Sequence, residues 1–239
     1  MKLPRLAIGL CASLTLGLSA AAQQQSAPTS PEAGSTPQQA DQAQAAAAVQ
    51  NALGGVHVAV LQNPDGGIVA VQNQQGENAL LAFLEPSAAQ AVQAQSEDQQ
   101  LTVSALPLLQ VLSTWKGPLL FEGSNASIEQ AQALKPEAEG FNAPVYVVLA
   151  DGQETQITTE AGAMTPILLN YSDAEDMKSR VEQSVDAEMT VEVVPVEFGA
   201  VLLELVNMQQ DKGYRVFTHP DTIQLIQAAR AAAPQGNQQ

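Results

Sequence analysis

Short apolar segments and helical patterns follow one another in the same order in both halves of the chain. Apolar runs of roughly four to eight residues predict strands, and apolar residues spaced three or four apart predict helices. In the first half the predicted strands are 56–61, 68–72, 79–84, 101–107 and 118–122. In the second half they are 145–150, 156–159, 166–170, 189–195 and 214–218.

Helices are predicted after the third, fourth and fifth strands of each half. Pro107 and Pro195 are expected to end their strands, because proline lacks the amide donor and suits the first turn of a helix. Ser172 is the expected cap of its helix, since Glu175 follows at the capping-box spacing. The predicted helices begin near Ser87, cover 108–115 and begin near Asn125 in the first half; they begin near Ser172, cover 196–210 and begin near Pro220 in the second.

An internal similarity at a spacing of 88 residues relates the two halves. The segment LTVSALPL at 101–108 aligns with MTVEVVPV at 189–196. At the same spacing, 80–83 aligns with 168–171 and 59–61 aligns with 147–149. We therefore predict an α/β protein of two fused, pseudo-symmetric β-β-β-α-β-α-β-α repeats. The alternative is that β-rich segments resemble one another without duplication.

Composition divides the rest of the chain. Residues 1–22 have the basic start, apolar stretch and small-residue end of a secretory signal, so cleavage is expected after Ala22. Residues 23–50 are assigned to a disordered Ala/Gln/Pro-rich tether, although the Ala-rich stretch 38–53 favours a helix that leads into the domain. The predicted repeats then occupy 51–139 and 140–233, and residues 234–239 are assigned to a disordered tail.

Charge excludes several classes of protein. The chain has 9 Lys and Arg against 25 Asp and Glu, a formal net charge of −16. Binding to nucleic acid is excluded, because phosphates are bound by clustered basic residues.

Loss of the signal would remove the single cysteine, which leaves no thiol for a disulfide or for dithiol chemistry. No second apolar segment reaches the roughly 20 residues of a membrane span, so we predict an exported, periplasmic protein without a transmembrane segment.

Candidate catalytic groups are few. His57 and His219 belong to no spaced metal-ligand cluster, and the glycines form no phosphate-binding motif. We therefore predict a protein that is not an enzyme and that needs neither a metal nor a cofactor. A hydrolase that uses His219 remains an alternative, although the chain has no Gly-x-Ser-x-Gly elbow.

Two apolar helices provide the candidate binding site. Acidic residues recur every seventh position along the predicted helix 196–210 and just after it, at Glu197, Glu204 and Asp211, while apolar residues cover most of the remaining circumference. Such a helix is either buried on two sides or lines an apolar groove, and both interpretations stay open. The candidate groove residues on the two matching helices are Leu108, Leu112, Trp115, Val201, Leu203, Val206 and Met208.

Several segments resemble the Tic twenty-two-like family. They are APVYVVLADG at 143–152, TPILLNYSDAED at 165–176, VEVVPVEFGAV at 191–201 and RVFTHPDTI at 215–223, with matching positions at 101–109 and 119–128. The resemblance covers roughly residues 52–229. It implies a two-fold pseudo-symmetric α/β fold with apolar grooves, in a protein of the plastid intermembrane space or the bacterial periplasm. It also implies a chaperone-like role without catalytic residues.

Two hypotheses about function follow. The first is a non-enzymatic periplasmic chaperone-like protein that binds unfolded, precursor or outer-membrane client proteins in apolar grooves. Such a protein would support protein transport and envelope biogenesis, with outer-membrane assembly components as further partners. The second is a structural interaction module, which its tail holds near one fixed envelope partner. Neither hypothesis fixes an oligomeric state.

Overall fold

The computed structural model describes residues 37–72, 76–96, 100–160, 162–186 and 188–232. These ranges contain seven α-helices and eleven strands. The helices are α1 Pro37–Leu53, α2 Pro86–Gln95, α3 Leu108–Thr114, α4 Asn125–Leu134, α5 Tyr171–Ser184, α6 Phe198–Val206 and α7 Pro220–Ala232. The strands are β1 His57–Gln62, β2 Ala70–Gln72, β3 Asn78–Phe83, β4 Thr102–Pro107, β5 Leu119–Glu122, β6 Pro144–Ala150, β7 Gln153–Glu154, β8 Ile157–Thr159, β9 Gly162–Leu168, β10 Val191–Glu197 and β11 Tyr214–Phe217.

The two sheets have the same arrangement of their main strands. In the first sheet β1 pairs antiparallel with β3 and β4, while β3 pairs parallel with β5. In the second sheet β6 pairs antiparallel with β9 and β10, while β9 pairs parallel with β11. The short strands β2, β7 and β8 form hairpins beside them. The predicted mixed α/β class is confirmed, and the second half differs from the predicted element order by one additional short strand, β7.

Successive residues of the central strands face different cores, because a strand turns alternate side chains to opposite faces. Val58 of β1 and Val145 of β6 lie in one central core, to which α1, α3 and α6 also contribute. The neighbouring Ala59 faces α2, and Tyr146 faces α5, in two separate outer clusters. Both halves therefore share a single central core, and each sheet is covered on its outer side by a helix.

Helix α1 is part of this central core. It buries Ala48, Ala52 and Leu53 and packs against α3, α6 and β11. The predicted helix over 38–53 is confirmed. Residues 37–50 are therefore helical, although composition alone assigns them to a tether. The predicted signal, the remainder of the tether and the tail at 234–239 lie outside the described residues.

The internal sequence match misplaces the end of one strand. Pro107 ends β4 as predicted, but Pro195 lies inside β10, where it is opposite Tyr146. In the described sheet β10 is an edge strand, which tolerates a missing amide donor. The following helix, α6, therefore begins at Phe198 and ends at Val206 rather than covering 196–210.

The cap of α5 also differs from the prediction. The Oδ1 atom of Asn170 accepts a hydrogen bond from the amide of Ser172 at 2.9 Å, so Asn170 is the N-cap. The predicted cap at Ser172 is wrong, because the asparagine that precedes the helix already bonds a free amide of its first turn.

The last helix of each half crosses to the sheet of the other half. Helix α4 follows β5 but packs against β6 and β10 of the second sheet. Helix α7 follows β11 but packs against β1 and β4 of the first sheet, beside α2. Each sheet therefore carries one helix from its own half and one from the other, and neither half covers its own sheet alone.

A buried carboxylate, Glu85, lies where the two crossing helices begin. Its Oε1 atom accepts hydrogen bonds from the amide of Ser124 at 3.0 Å and from the hydroxyl of Ser127, both at the start of α4. Its Oε2 atom lies 3.9 Å from Nε2 of His219, the residue before α7. The Nδ1 atom of His219 accepts from the amide of Asp221 at 3.2 Å, in the first turn of α7. Helix N-termini attract negative charge, so the Glu85 carboxylate stabilises the start of α4 and the start of α7.

We predict that Glu85→Ala lowers the free energy of unfolding by about 3 kcal/mol, because the Ser124 amide and the Ser127 hydroxyl lose their buried acceptor. Urea unfolding followed by circular dichroism measures the change. Ser87→Ala is the matched control, since it removes only a long hydrogen bond to Glu85, of 3.4 Å, from an exposed residue. The control should cost less than about 0.5 kcal/mol. Equal losses in the two variants would contradict this role of Glu85.

Candidate functional site

An open depression of about 650 Å³ lies beside the last turns of α6. We call it the α6 depression. Leu203 stands on its wall with 42% of its surface exposed, and Met208, which is 4% exposed, forms part of its floor. The depression is lined by Ala200, Leu203, Glu204, Asn207, Met208, Gln209, Gln210, Asp211 and Lys212.

The spacing of residues along α6 explains why Leu203 is exposed. Phe198, Leu202 and Leu205 are separated by three or four positions and face the central core. Leu203 falls outside this stripe and therefore points away from the core. The helix ends after Val206, where the side chain amide of Asn207 donates to the carbonyl oxygen of Leu203 at 2.8 Å.

Asp211 holds the loop that forms the rim of the α6 depression. Its carboxylate accepts two hydrogen bonds from the Arg215 guanidinium, each of 3.1 Å. It also accepts from the side chain of Asn51 on α1 at 2.9 Å and from the amide of Gly213 at 2.8 Å. The hydrogen bonds from Arg215 are the main reason why the pKa of Asp211 is lowered to about 2. The carboxylate therefore stays ionised at neutral pH and joins the loop to α1 and β11.

A narrower cleft of about 100 Å³ lies on the other side of Glu204, between α6 and the second sheet. We call it the sheet cleft. Glu154, Glu204 and Tyr214 line it together with five apolar side chains: Val147, Ile167, Val196, Val201 and Leu205. The Tyr214 hydroxyl donates to Oε2 of Glu154 at 2.8 Å. Burial, with this hydrogen bond and the charges of Glu154 and Glu204, raises the pKa of Tyr214 to about 12, so the phenol remains a donor at neutral pH.

The predicted groove residues do not share one surface. Leu108 and Met208 are buried in the central core, Leu112, Trp115, Val201 and Val206 are half-buried against it, and Leu203 is exposed. Leu203 and Met208 line the α6 depression, and Val201 lines the sheet cleft. Val206 and the three candidates of the first half, Leu108, Leu112 and Trp115, line neither. Most of the predicted groove residues are therefore core residues, whereas Leu203 lies at the surface.

Sequence reasoning missed the polar residues of this site. Glu154 and Tyr214 are 60 positions apart, and no local pattern brings them together. Glu204 and Asp211 appear in the sequence only as a seven-residue spacing, which has no structural meaning here because α6 ends at Val206. One signal was present: Asp followed two positions later by Gly is typical of a turn closed by the Asp side chain, which is the bond from Gly213 to Asp211.

Metal binding, a membrane-spanning helix and hydrolase activity have little support in the described part of the chain. No group of three or more His, Cys, Asp or Glu there could hold a metal ion, and none of its helices has the length and apolarity to cross a membrane. His219 is buried, with Glu85 and Asp221 as its neighbours. The nearby Ser127 hydroxyl donates to Glu85 rather than to His219. This arrangement does not favour the hydrolase hypothesis, because the imidazole would have to bond the nucleophile itself.

The two-sheet mixed α/β architecture is shared with solved structures of Tic22 proteins. Tic22 of Anabaena, a protein of protein transport, matches with a TM-score of 0.57 and 18% identity, over 76% of this chain and 96% of that one. Tic22 from Plasmodium falciparum matches with a TM-score of 0.55 and 10% identity, over 75% and 96%. No family model and no curated protein matches the sequence. The resemblance to the Tic twenty-two-like family is thus confirmed at the level of the fold.

We predict that Asp211→Asn lowers the free energy of unfolding by about 1 kcal/mol at neutral pH, because a partly exposed ion pair with Arg215 is lost. The pKa of Asp211 is lowered in the folded state, so its contribution is present above the unfolded pKa, near 4, and is lost as the pH falls toward 2. The stability difference between wild type and variant should therefore be constant above about pH 5, should fall steadily between pH 5 and pH 2, and should vanish only below the folded-state pKa of about 2.

Urea unfolding at a series of pH values measures this difference. Asp176→Asn is the control, since Asp176 is an exposed carboxylate on α5. It should change stability by less than about 0.5 kcal/mol at every pH. A stability difference for Asp211→Asn that persists unchanged at pH 2 would show that the carboxylate charge is not its cause.

Proposed function

We propose that this protein is a non-enzymatic transport factor of the cell envelope, which binds apolar segments of unfolded or precursor client proteins at the α6 depression. The observation that carries the proposal is Leu203. It is 42% exposed beside the buried Met208, on a helix whose Phe198, Leu202 and Leu205 are buried. Apolar surface in a concave and open position is favourable to bury and imposes no fixed geometry on its partner.

The lining suits a variable partner. A volume of about 650 Å³ lies within the range of ligand-binding clefts, which is roughly 300–1,000 Å³. Met208 offers a flexible thioether, which adapts to apolar side chains of different shape. The net charge of −16 favours solubility of the protein when it carries such a segment.

The structural comparisons support a role in protein transport. The Anabaena Tic22, which has the same fold, is a protein of protein transport. The predicted secretory signal at residues 1–22 agrees with a periplasmic location, where precursor and outer-membrane proteins pass in unfolded form. Outer-membrane assembly components are the further partners that we propose.

We also infer that the two halves arose by internal duplication. Three segments match at a spacing of 88 residues in the sequence, but the equivalent positions in the structure have other spacings. Ala59 pairs with Phe83 and Tyr146 pairs with Leu168, so these positions are 87 and 85 residues apart. In each half one strand pairs antiparallel with two others, one pair of strands is parallel, three helices follow in the same order, and the last helix crosses to the other sheet. This shared pairing and order support the inference more than the sequence match does.

We predict that Leu203→Glu reduces affinity for an unfolded apolar client about tenfold, because burial of one leucine side chain contributes roughly 1.5–3 kcal/mol. Binding of a fluorescently labelled, permanently unfolded client and suppression of its aggregation measure the effect. Stability should change little, since Leu203 is exposed.

Leu134→Glu is the matched control. Leu134 is 37% exposed and lies on α4, which covers the outer face of the second sheet, whereas α6 covers the inner face. This variant adds the same charge and removes the same side chain, so client binding should persist. If both variants lose binding equally, or if the wild type neither binds nor protects the client, the α6 depression is not the binding site.

A further inference from the structure

We propose that the client segment carries a lysine or arginine next to its apolar side chains, and that Glu154 and Glu204 bind this cation at the sheet cleft. The inference rests on the proposed function and specifies its partner. The occupant is an unfolded polypeptide segment that is both apolar and basic.

The two neighbouring surfaces place apolar and acidic groups within reach of one short segment. Glu204 lines both the α6 depression and the sheet cleft, and Leu203 is its neighbour in the chain. An extended polypeptide advances about 3.3 Å per residue, with successive side chains on opposite faces. An apolar side chain beside Leu203 and a basic one beside Glu204 can therefore belong to positions one or two apart.

The carboxylates of the sheet cleft lack a firmly bound cation of their own. Lys212 lies 3.8 Å from Glu204, but both side chains are 61% exposed, and such a pair is weak. Arg215 is held by two hydrogen bonds to Asp211. Within the described ranges no ion pair includes Glu154, which is oriented by the Tyr214 hydroxyl instead. A client cation would thus replace a weak contact of Lys212 at Glu204 and add a new one at Glu154.

Apolar side chains of the sheet cleft add to this preference. Val147 and Ile167, which are 8% and 3% exposed, line the cleft together with the two carboxylates. The aliphatic part of a client lysine or arginine can pack on such side chains while its charged end stays in solvent beside the exposed carboxylates. An acidic segment with the same apolar side chains would be repelled by Glu154 and Glu204, so the site selects for charge as well as for apolarity.

The test uses two unstructured peptides of alternating leucine and serine, one with a central lysine and one with serine in its place. Binding to the full chain is measured by fluorescence anisotropy at low salt. The wild type should bind the lysine peptide about tenfold more tightly, since each exposed ion pair contributes up to about 1 kcal/mol. The double variant Glu154→Gln, Glu204→Gln should lose this preference and should bind the two peptides with equal affinity.

Two further variants separate a local site from attraction by the net charge. Lys212→Ala removes the internal competitor and should raise the ratio of the two affinities, lysine peptide over neutral peptide, by about two- to fivefold. Glu129→Gln removes one carboxylate from α4 and should change neither affinity. If the wild type binds both peptides equally, or if Glu129→Gln acts like the double variant, this inference is wrong while the proposed function stands. If the wild type binds neither peptide, the proposed function fails as well.

Discussion

The buried carboxylate of Glu85 is the constraint on which the joining of the two halves depends. A buried charge is costly unless it is hydrogen-bonded, and the donors here come from the start of α4, while His219 at the start of α7 faces the other oxygen. Tyr146 extends the same junction, since its hydroxyl donates to the carbonyl oxygen of Ser127 at 3.2 Å. Burial and the charge of Glu85 raise the pKa of Tyr146, so its proton stays in place. Because α4 and α7 cover opposite sheets, an intact junction requires both halves to be folded.

The packing of α4 and α7 on the sheet of the other half also determines which apolar surface remains exposed. The outer faces of the sheets are covered by α2 with α7 and by α5 with α4, while their inner faces share one core with α1, α3 and α6. Among the described residues, Leu203 of α6, Phe217 of β11 and Ile223 of α7 nevertheless remain 41–45% exposed. The outward side of α6 is left open because α1 packs against another side of it and the loop after Val206 turns away to β11. An exposed apolar surface at this place follows from the packing rather than from a dedicated domain.

Local patterns predicted the elements well, and they failed where distant residues decide the structure. The continuous apolar runs of β1 and β6 identify these strands, because each strand is buried on both faces between two cores. The apolar face of α4 or α7 shows that the helix packs, but not which sheet receives it, so the exchange was not predictable. Helix α6 was predicted to reach residue 210, but it ends at Val206, and the mostly polar segment 207–210 belongs to the following loop. Burial of Leu108 and exposure of Leu203 depend on the neighbours of each helix, which the sequence does not reveal.

The two halves differ after the helix that lies on the inner face of each sheet. Helix α3 ends at Thr114, and the Trp115 indole donates to the carbonyl oxygen of Pro118 at 2.8 Å, directly before β5 begins. A side chain at Gly117 would come within 3.2 Å of the indole ring, so Trp115 fills this corner closely. After α6 the chain instead forms the longer loop held by Asp211, which creates the rim of the α6 depression. One half therefore fills the space after its inner helix with an aromatic side chain, and the other leaves a depression there, so two sheets with the same main strand pairing differ in their exposed surface.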